Sequence, residues 1–219
     1  MRFIFYLFIL SFLIESCDEK NCNERILNDF KEDELGYFYE LAFGLEFQKK
    51  EVYNLCLWTR NVNVELLGDY NYEDSIEVDR VIEELNHIID PIEISIVEKN
   101  GNLKIYFIEN ILFNSYCKST FNARGYFVVN WNRFFSSGFI LIDKNQSNSV
   151  KKHLIREELA QALGLMNDSW KYEESIFYQG NNSVTEFSEM DKKMIALLYN
   201  YKLHFYMKDF EFKSCYIKE

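Results

Sequence analysis

The sequence predicts an α+β fold: a mixed sheet, a central helix that carries an acidic motif, and a further helix near the C-terminus. Three observations point there. Segments with strand-like alternation fill the middle of the chain, two capped helical patterns follow late, and no break in composition splits the 219 residues into two domains.

Taken in order, ELGYFYELAFGLEF (34–47) has helical spacing, with Leu35, Phe38, Tyr39, Ala42 and Phe43 on one side. VYNLCLWTRNVNVELLG (52–68) reads as extended, because Val62, Val64 and Leu66 alternate with polar residues. Ser75 opens a helix with an apolar stripe from Ile76 to Ile89, and Pro91 follows it as a stop. IEISIVEKNGNLKIYFI (92–108) alternates on both sides of Asn100-Gly101 and predicts a hairpin. Two more strands are expected within 125–144, then a helix from about Ser149. A polar loop (167–187) leads to a last helix, with Ser188 as N-cap and Asp191 three residues on in capping-box style.

Charge and cysteines bound the function. A formal charge of −11 without a basic stripe argues against nucleic-acid binding. Arg2 followed by the apolar run Phe3 to Ile14 is too short to span a bilayer, which needs about 20 residues. It reads as a secretory signal ending near Ser16. Ile14-Glu15-Ser16-Cys17 resembles a bacterial lipoprotein signal, with Cys17 as the lipidated residue; ordinary cleavage that leaves a thiol is the alternative. Without Cys17, four cysteines remain (Cys22, Cys56, Cys117 and Cys215), which allows three pairings in an oxidising compartment or buried thiols otherwise.

REELAQALGLMND (156–168) carries the chemistry. Its spacing superimposes on H-E-x-x-H-x-x-G-x-x-H, in which two histidines one turn apart grip zinc and a glutamate works on the bound water. Here the pattern is E-E-x-x-Q-x-x-G-x-x-N: Glu157, Gln161 and Asn167 stand at the ligand positions, with Asp168 adjacent, Glu158 at the general-base position and Gly164 at the turn. A carboxylate can bind zinc, but neutral amide oxygens suit hard cations better. Val150, Leu154 and Leu165 frame Glu157 and Gln161, so this polar pair is expected to be partly buried and to need partners, with Arg156, Asn167 and Asp168 as local candidates. His153, four residues before Glu157, could share a metal, make a helix N-terminal hydrogen bond, or simply pair with the glutamate. His87 and His204 come with no partner pattern.

The same stretch, with SIF at 175–177, Asp191 and the Leu-Tyr ending at Tyr199, resembles an uncharacterised bacterial family, domain-of-unknown-function family 2927, which is assigned to the zincin-like peptidases. The resemblance covers roughly 52–200 and includes LWTRNVNVELLGD (57–69) as an early tryptophan strand. Metzincin proteases carry a methionine in the turn below their metal, where this chain has Phe177. The resemblance implies a zincin-like mixed sheet, and with the leader and the composition of the ends the chain divides into signal peptide (1–16), tether and helix (17–50), zincin-like domain (51–200) and aromatic tail (201–219). Together with the lipoprotein-like leader, it gives the expectation of a membrane-anchored envelope lipoprotein with an altered metal site. Such a protein is expected to hold no cofactor and to bind an envelope protein, peptide or glycan. The alternative is a divalent metal held by Glu157, Gln161, Asn167 and Asp168, serving an atypical hydrolase with Glu158 as base.

Overall fold

A computed structural model describes residues 22–44, 54–117, 123–180, 184–203 and 206–217. The leader, Cys17 and His204 lie outside these residues. Among the described residues no helix is long and apolar enough to cross a membrane.

Five strands form one mixed sheet: β1 (Val62–Gly68), β2 (Ile94–Ile96), β3 (Leu103–Ile108), β4 (Gly125–Trp131) and β5 (Phe135–Asp143). Their order is β2-β1-β3-β5-β4. All neighbours run parallel except β4, which lies antiparallel along the edge of β5. Alternation sets the faces. On β3, Leu103, Ile105 and Phe107 are fully buried, and Lys104, Tyr106 and Ile108 are half-buried.

Among the described residues, six α-helices and a short 3-10 helix (Asn110–Ser115) complete the fold: α1 (Glu24–Asp29), α2 (Glu32–Phe43), α3 (Tyr72–Asn86), α4 (Asn148–Ala162), α5 (Glu189–Asn200) and α6 (Asp209–Tyr216). The α3 crossover joins β1 to β2 and packs on α4, which in turn lies on β4 and β5. The fold class is thus as expected, an α+β domain with a mixed sheet and the motif on a central helix.

Three local expectations are corrected. The stretch 92–108 is no hairpin: β2 and β3 both pair with β1, one on each side. Asn100 does turn at φ 61°, but the returning chain passes β1, where the Gly101 N–H donates to Glu65 Oε2 at 3.0 Å. The local turn signal is real, and the wholly buried Val62 and Val64 of β1 claim both strands.

The helix expected from Ser75 begins at Tyr72. Asn71 and Asp74 form a reciprocal capping box, while Ser75 Oγ turns back to the Tyr72 carbonyl at 2.8 Å. Residues expected as an N-terminal tether include α1 and the start of α2.

The aromatic tail packs on the domain through α6. Phe212 is fully buried, with ring centroids 5.3 Å from Phe38 and 5.6 Å from Phe43. A disulfide, Cys22–Cys215, then joins the two ends of the described chain. The Asn23 N–H donates to the Tyr216 hydroxyl at 2.9 Å, and Asn23 Nδ2 donates to the Tyr201 carbonyl at 2.8 Å. Cys56 stays a buried thiol whose pKa burial pushes up to about 11, which makes it a poor nucleophile. The Cys117 thiol lies 3.5 Å from the Tyr126 hydroxyl.

Charge is buried between α3 and α4. Arg156 is 0% exposed, and its guanidinium reaches Glu77 Oε1 at 2.8 Å and Glu84 Oε1 at 2.9 Å, with the Phe187 ring 5.2 Å away. One turn earlier, Lys151 pairs with Asp74 at 2.5 Å. A planar fork that serves two carboxylates has no equivalent in an ammonium. Arg156→Lys is therefore expected to lower unfolding stability by about 1–3 kcal/mol in urea titration.

Candidate functional site

The candidate site is built on α4. Ser147 caps its start, its Oγ accepting from the Val150 N–H. From His153 to Met166 every residue is buried, including five that are charged or carry a polar side chain: His153, Arg156, Glu157, Glu158 and Gln161. A helix so enclosed must send each polar group to a different neighbour.

His153 donates through Nδ1 to the Val184 carbonyl at 2.7 Å; a carbonyl only accepts, so the hydrogen sits on Nδ1. Its Nε2 lies 3.3 Å from Glu157 Oε2, off the line that a hydrogen bond needs. Glu158 presses on the start of the edge strand: a β-carbon at Gly125 would collide with its Oε1. Gln161 Nε2 donates to Asp168 Oδ1 at 2.8 Å. Asn167 turns towards α2, where its Nδ2 donates to the Glu40 carbonyl at 3.2 Å and its backbone N–H donates to the Leu41 carbonyl at 3.2 Å.

The structure therefore brings together His153 with Glu157 and Gln161 with Asp168. It directs the Arg156 side chain to Glu77 and Glu84 on α3, not to Glu157, and engages Asn167 with the end of α2. The expectation of a buried polar pair at 157 and 161 is met: Glu157 is 7% and Gln161 1% exposed.

Other parts of the chain fix the end of this helix. Trp58 Nε1–H donates to the Ala162 carbonyl at 2.9 Å, and the Tyr199 hydroxyl donates to the Leu163 carbonyl at 2.8 Å. Two orphan carbonyls of the helix terminus are satisfied by side chains that precede β1 and belong to α5. Burial raises the pKa of the Tyr199 phenol, which stays protonated and able to donate. Gly164 then adopts φ +132°, and a β-carbon there would sit 2.5 Å from the Cys56 carbonyl oxygen. Gly164→Ala is expected to cost about 2–4 kcal/mol, combining backbone strain with overpacking, readable as a lower urea midpoint.

Below the helix, Ser175 to Phe177 form a turn held by one carboxylate. Asp191 accepts from Ser175 Oγ at 2.5 Å, from the Ile176 N–H at 3.1 Å and from the Ser188 N–H at 2.8 Å. The Tyr37 hydroxyl, on α2, lies 2.8 Å from Ser175 Oγ. Burial raises the Asp191 pKa, against hydrogen bonds that pull it down. Phe177 is fully buried and its carbonyl accepts from the Ser169 N–H at 2.9 Å. Sequence reasoning found Asp191 as a cap but not as the clasp of this turn, because the contact spans a loop with no periodic signal.

The donor set does not fit zinc at the three motif positions. Position 161 offers one neutral oxygen, and position 167 offers an amide engaged with α2. Among the described residues, no three His, Cys, Asp or Glu side chains are grouped to hold a metal ion.

A sequence family described as protein of unknown function (DUF2927) matches residues 32–215. The chain belongs to this family. The match runs beyond the motif region expected from the sequence and takes in α2 and nearly all of α6, the two helices that pack together under the site. No curated protein matches the chain. Among solved structures, two of myroilysin are similar, at 16% and 15% identity and TM-scores of 0.47 and 0.44. Each alignment covers 65% of this chain, and 85% and 82% of the respective myroilysin chains.

Proposed function

We propose that this is an exported, lipid-anchored envelope protein. Its zincin-like domain no longer catalyses and binds another envelope protein, a peptide or a glycan. One observation carries the non-catalytic reading: Gln161, where a second histidine would stand, directs its amide to Asp168 instead of presenting an imidazole. Glu158 is only 5% exposed, and its use as a base would need a metal-acidified water, for which the amides of Gln161 and Asn167 are weak ligands. The leader and Cys17 support export, and the Cys22–Cys215 bridge supports an oxidising compartment.

Two experiments test this. Casein and isolated peptidoglycan are incubated with the full protein in the presence of zinc, manganese or calcium, and peptidoglycan is also co-sedimented with it. No turnover is expected. Hydrolysis that disappears in Glu158→Gln would establish the metal-dependent hydrolase instead. For the anchor, Cys17→Ser is expected to move the protein from the membrane to the soluble fraction, and unchanged fractionation would reject lipidation.

A further inference from the structure

We propose that the open edge of β2 binds an extended peptide segment of another protein, and that a lysine or arginine of that segment seats its long side chain between Tyr70 and Glu98. The proposal rests on the reading of the domain as a binding module, and gives that module a surface and a partner chemistry. The surface lies at the edge of the sheet opposite β4, the strand on which the motif helix α4 packs.

The backbone comes first. β2 is an outer strand, and among the described residues no strand pairs with its free side. The Val62 N–H donates to the Glu93 carbonyl at 2.9 Å and the Val97 N–H donates to the Val64 carbonyl at 2.8 Å, so residues 93 and 97 direct main-chain groups to β1. Ile94 and Ile96, which alternate with them, direct theirs outward. Asn86, on α3, takes both groups of Ile94: its Nδ2 donates to the Ile94 carbonyl at 2.7 Å, and its Oδ1 accepts from the Ile94 N–H at 2.8 Å. One side-chain amide thus does for one residue what a neighbouring strand would do. Two residues on, the outward N–H and carbonyl of Ile96 have no such partner among the described residues. Edge groups of this kind are a template for an added strand.

A cavity of about 220 Å³ adjoins this edge, lined by Leu66, Tyr70, Ile96, Val97 and Glu98. Tyr70 is 43% and Ile96 40% exposed, and the buried Phe107 ring supports Tyr70 at 6.0 Å between centroids. Apolar walls, one aromatic ring and one exposed carboxylate suit a side chain with a methylene stem and a cationic head. The charge around the edge points the same way. Glu93 and Glu98 are exposed and make no ion pair among the described residues. The exposed Asp79 lies two turns before Asn86 on the same face of α3, a crossover helix antiparallel to β2, and so flanks the strand beyond Ile94. Against Lys99, these three carboxylates leave the edge acidic, which favours a basic segment.

The probe is a short labelled peptide of β-branched residues with a central arginine, titrated into the full-length protein by fluorescence anisotropy. Saturable binding is expected. It should weaken about fivefold or more when citrulline replaces the arginine, when N-methylation blocks the main-chain donors beside it, and in the Glu98→Gln and Tyr70→Ala variants. Glu24→Gln, on α1, should bind as the wild type does. Glu98→Gln removes only a surface charge, so the test does not hinge on folding. Absence of saturable binding, or equal affinity for the citrulline peptide, overturns the proposal. Arginine-dependent binding that Glu98→Gln and Tyr70→Ala both leave intact assigns it to the general acidity of the surface and rejects the edge. Dimerisation in analytical ultracentrifugation that Ile96→Asp abolishes would make a second copy of the chain the occupant, which also overturns it. Hydrolysis and peptidoglycan co-sedimentation, which test the functional reading, do not report on this edge. Peptide binding can therefore fail while the domain remains non-catalytic, and hydrolysis can appear while β2 still binds.

Discussion

Reduction of the Cys22–Cys215 bridge is expected to lower the unfolding free energy by about 5 kcal/mol at most, and by 2–5 kcal/mol as such bonds commonly behave. The size follows from the loop. The bridge joins residues 193 apart in sequence, so it removes a large share of the conformational freedom of the unfolded chain. Urea titration of the protein with and without reductant gives the difference directly, and Cys215→Ser should reproduce the reduced curve. Coincident curves in all three samples would mean that the bridge contributes nothing. Because α1 has only six residues and cannot persist alone, its protection from hydrogen exchange should vanish first.

Asp191→Ala is expected to cost about 3–5 kcal/mol, the sum of stranding two backbone N–H groups and the Ser175 hydroxyl. Asp191→Asn keeps one acceptor oxygen and should cost less. The pH dependence has a definite sign. Burial lifts the folded-state pKa of Asp191 above its ordinary 3.8, so the folded chain holds this proton more tightly than the unfolded chain. This residue's contribution is therefore largest below pH 3.8 and declines as pH rises towards its folded pKa. Subtracting the Asp191→Asn stability profile from that of the wild type isolates the slope. A difference that grows with pH in this window would show that the hydrogen bonds outweigh burial.

These expectations rest on features of unequal visibility in the sequence. Helices with a cap and a stripe could be read directly. Ser188 and Asp191 announced α5, and the acidic motif announced α4, because both signals lie within one or two turns of chain. Strands were visible through alternation, but their partners were not. Asn100-Gly101 looked like a hairpin since a turn is local, whereas the parallel pairing of β1 with both β2 and β3 depends on residues 30 to 40 positions apart.

The site divides in the same way. Burial of Glu157 and Gln161 followed from the apolar residues framing them. Arg156 misled, because a helix projects adjacent residues about 100° apart and its true partners lie on α3. Trp58 and Tyr199, which cap the helix end, carry no local mark of that role and were noticed only through family resemblance.

The bridge between α1's start and α6 has a consequence in time. A ribosome delivers residues in order, so α1 appears early and finds nothing to hold it. Tyr201, Cys215 and Tyr216, which receive it, are made much later, 178 to 193 residues beyond their partners in sequence. The first described helix is therefore among the last elements to settle. A nonsense mutation shortly before codon 215 should loosen α1 as well, and nascent chains arrested before residue 215 should stay open to proteases around both α1 and α5.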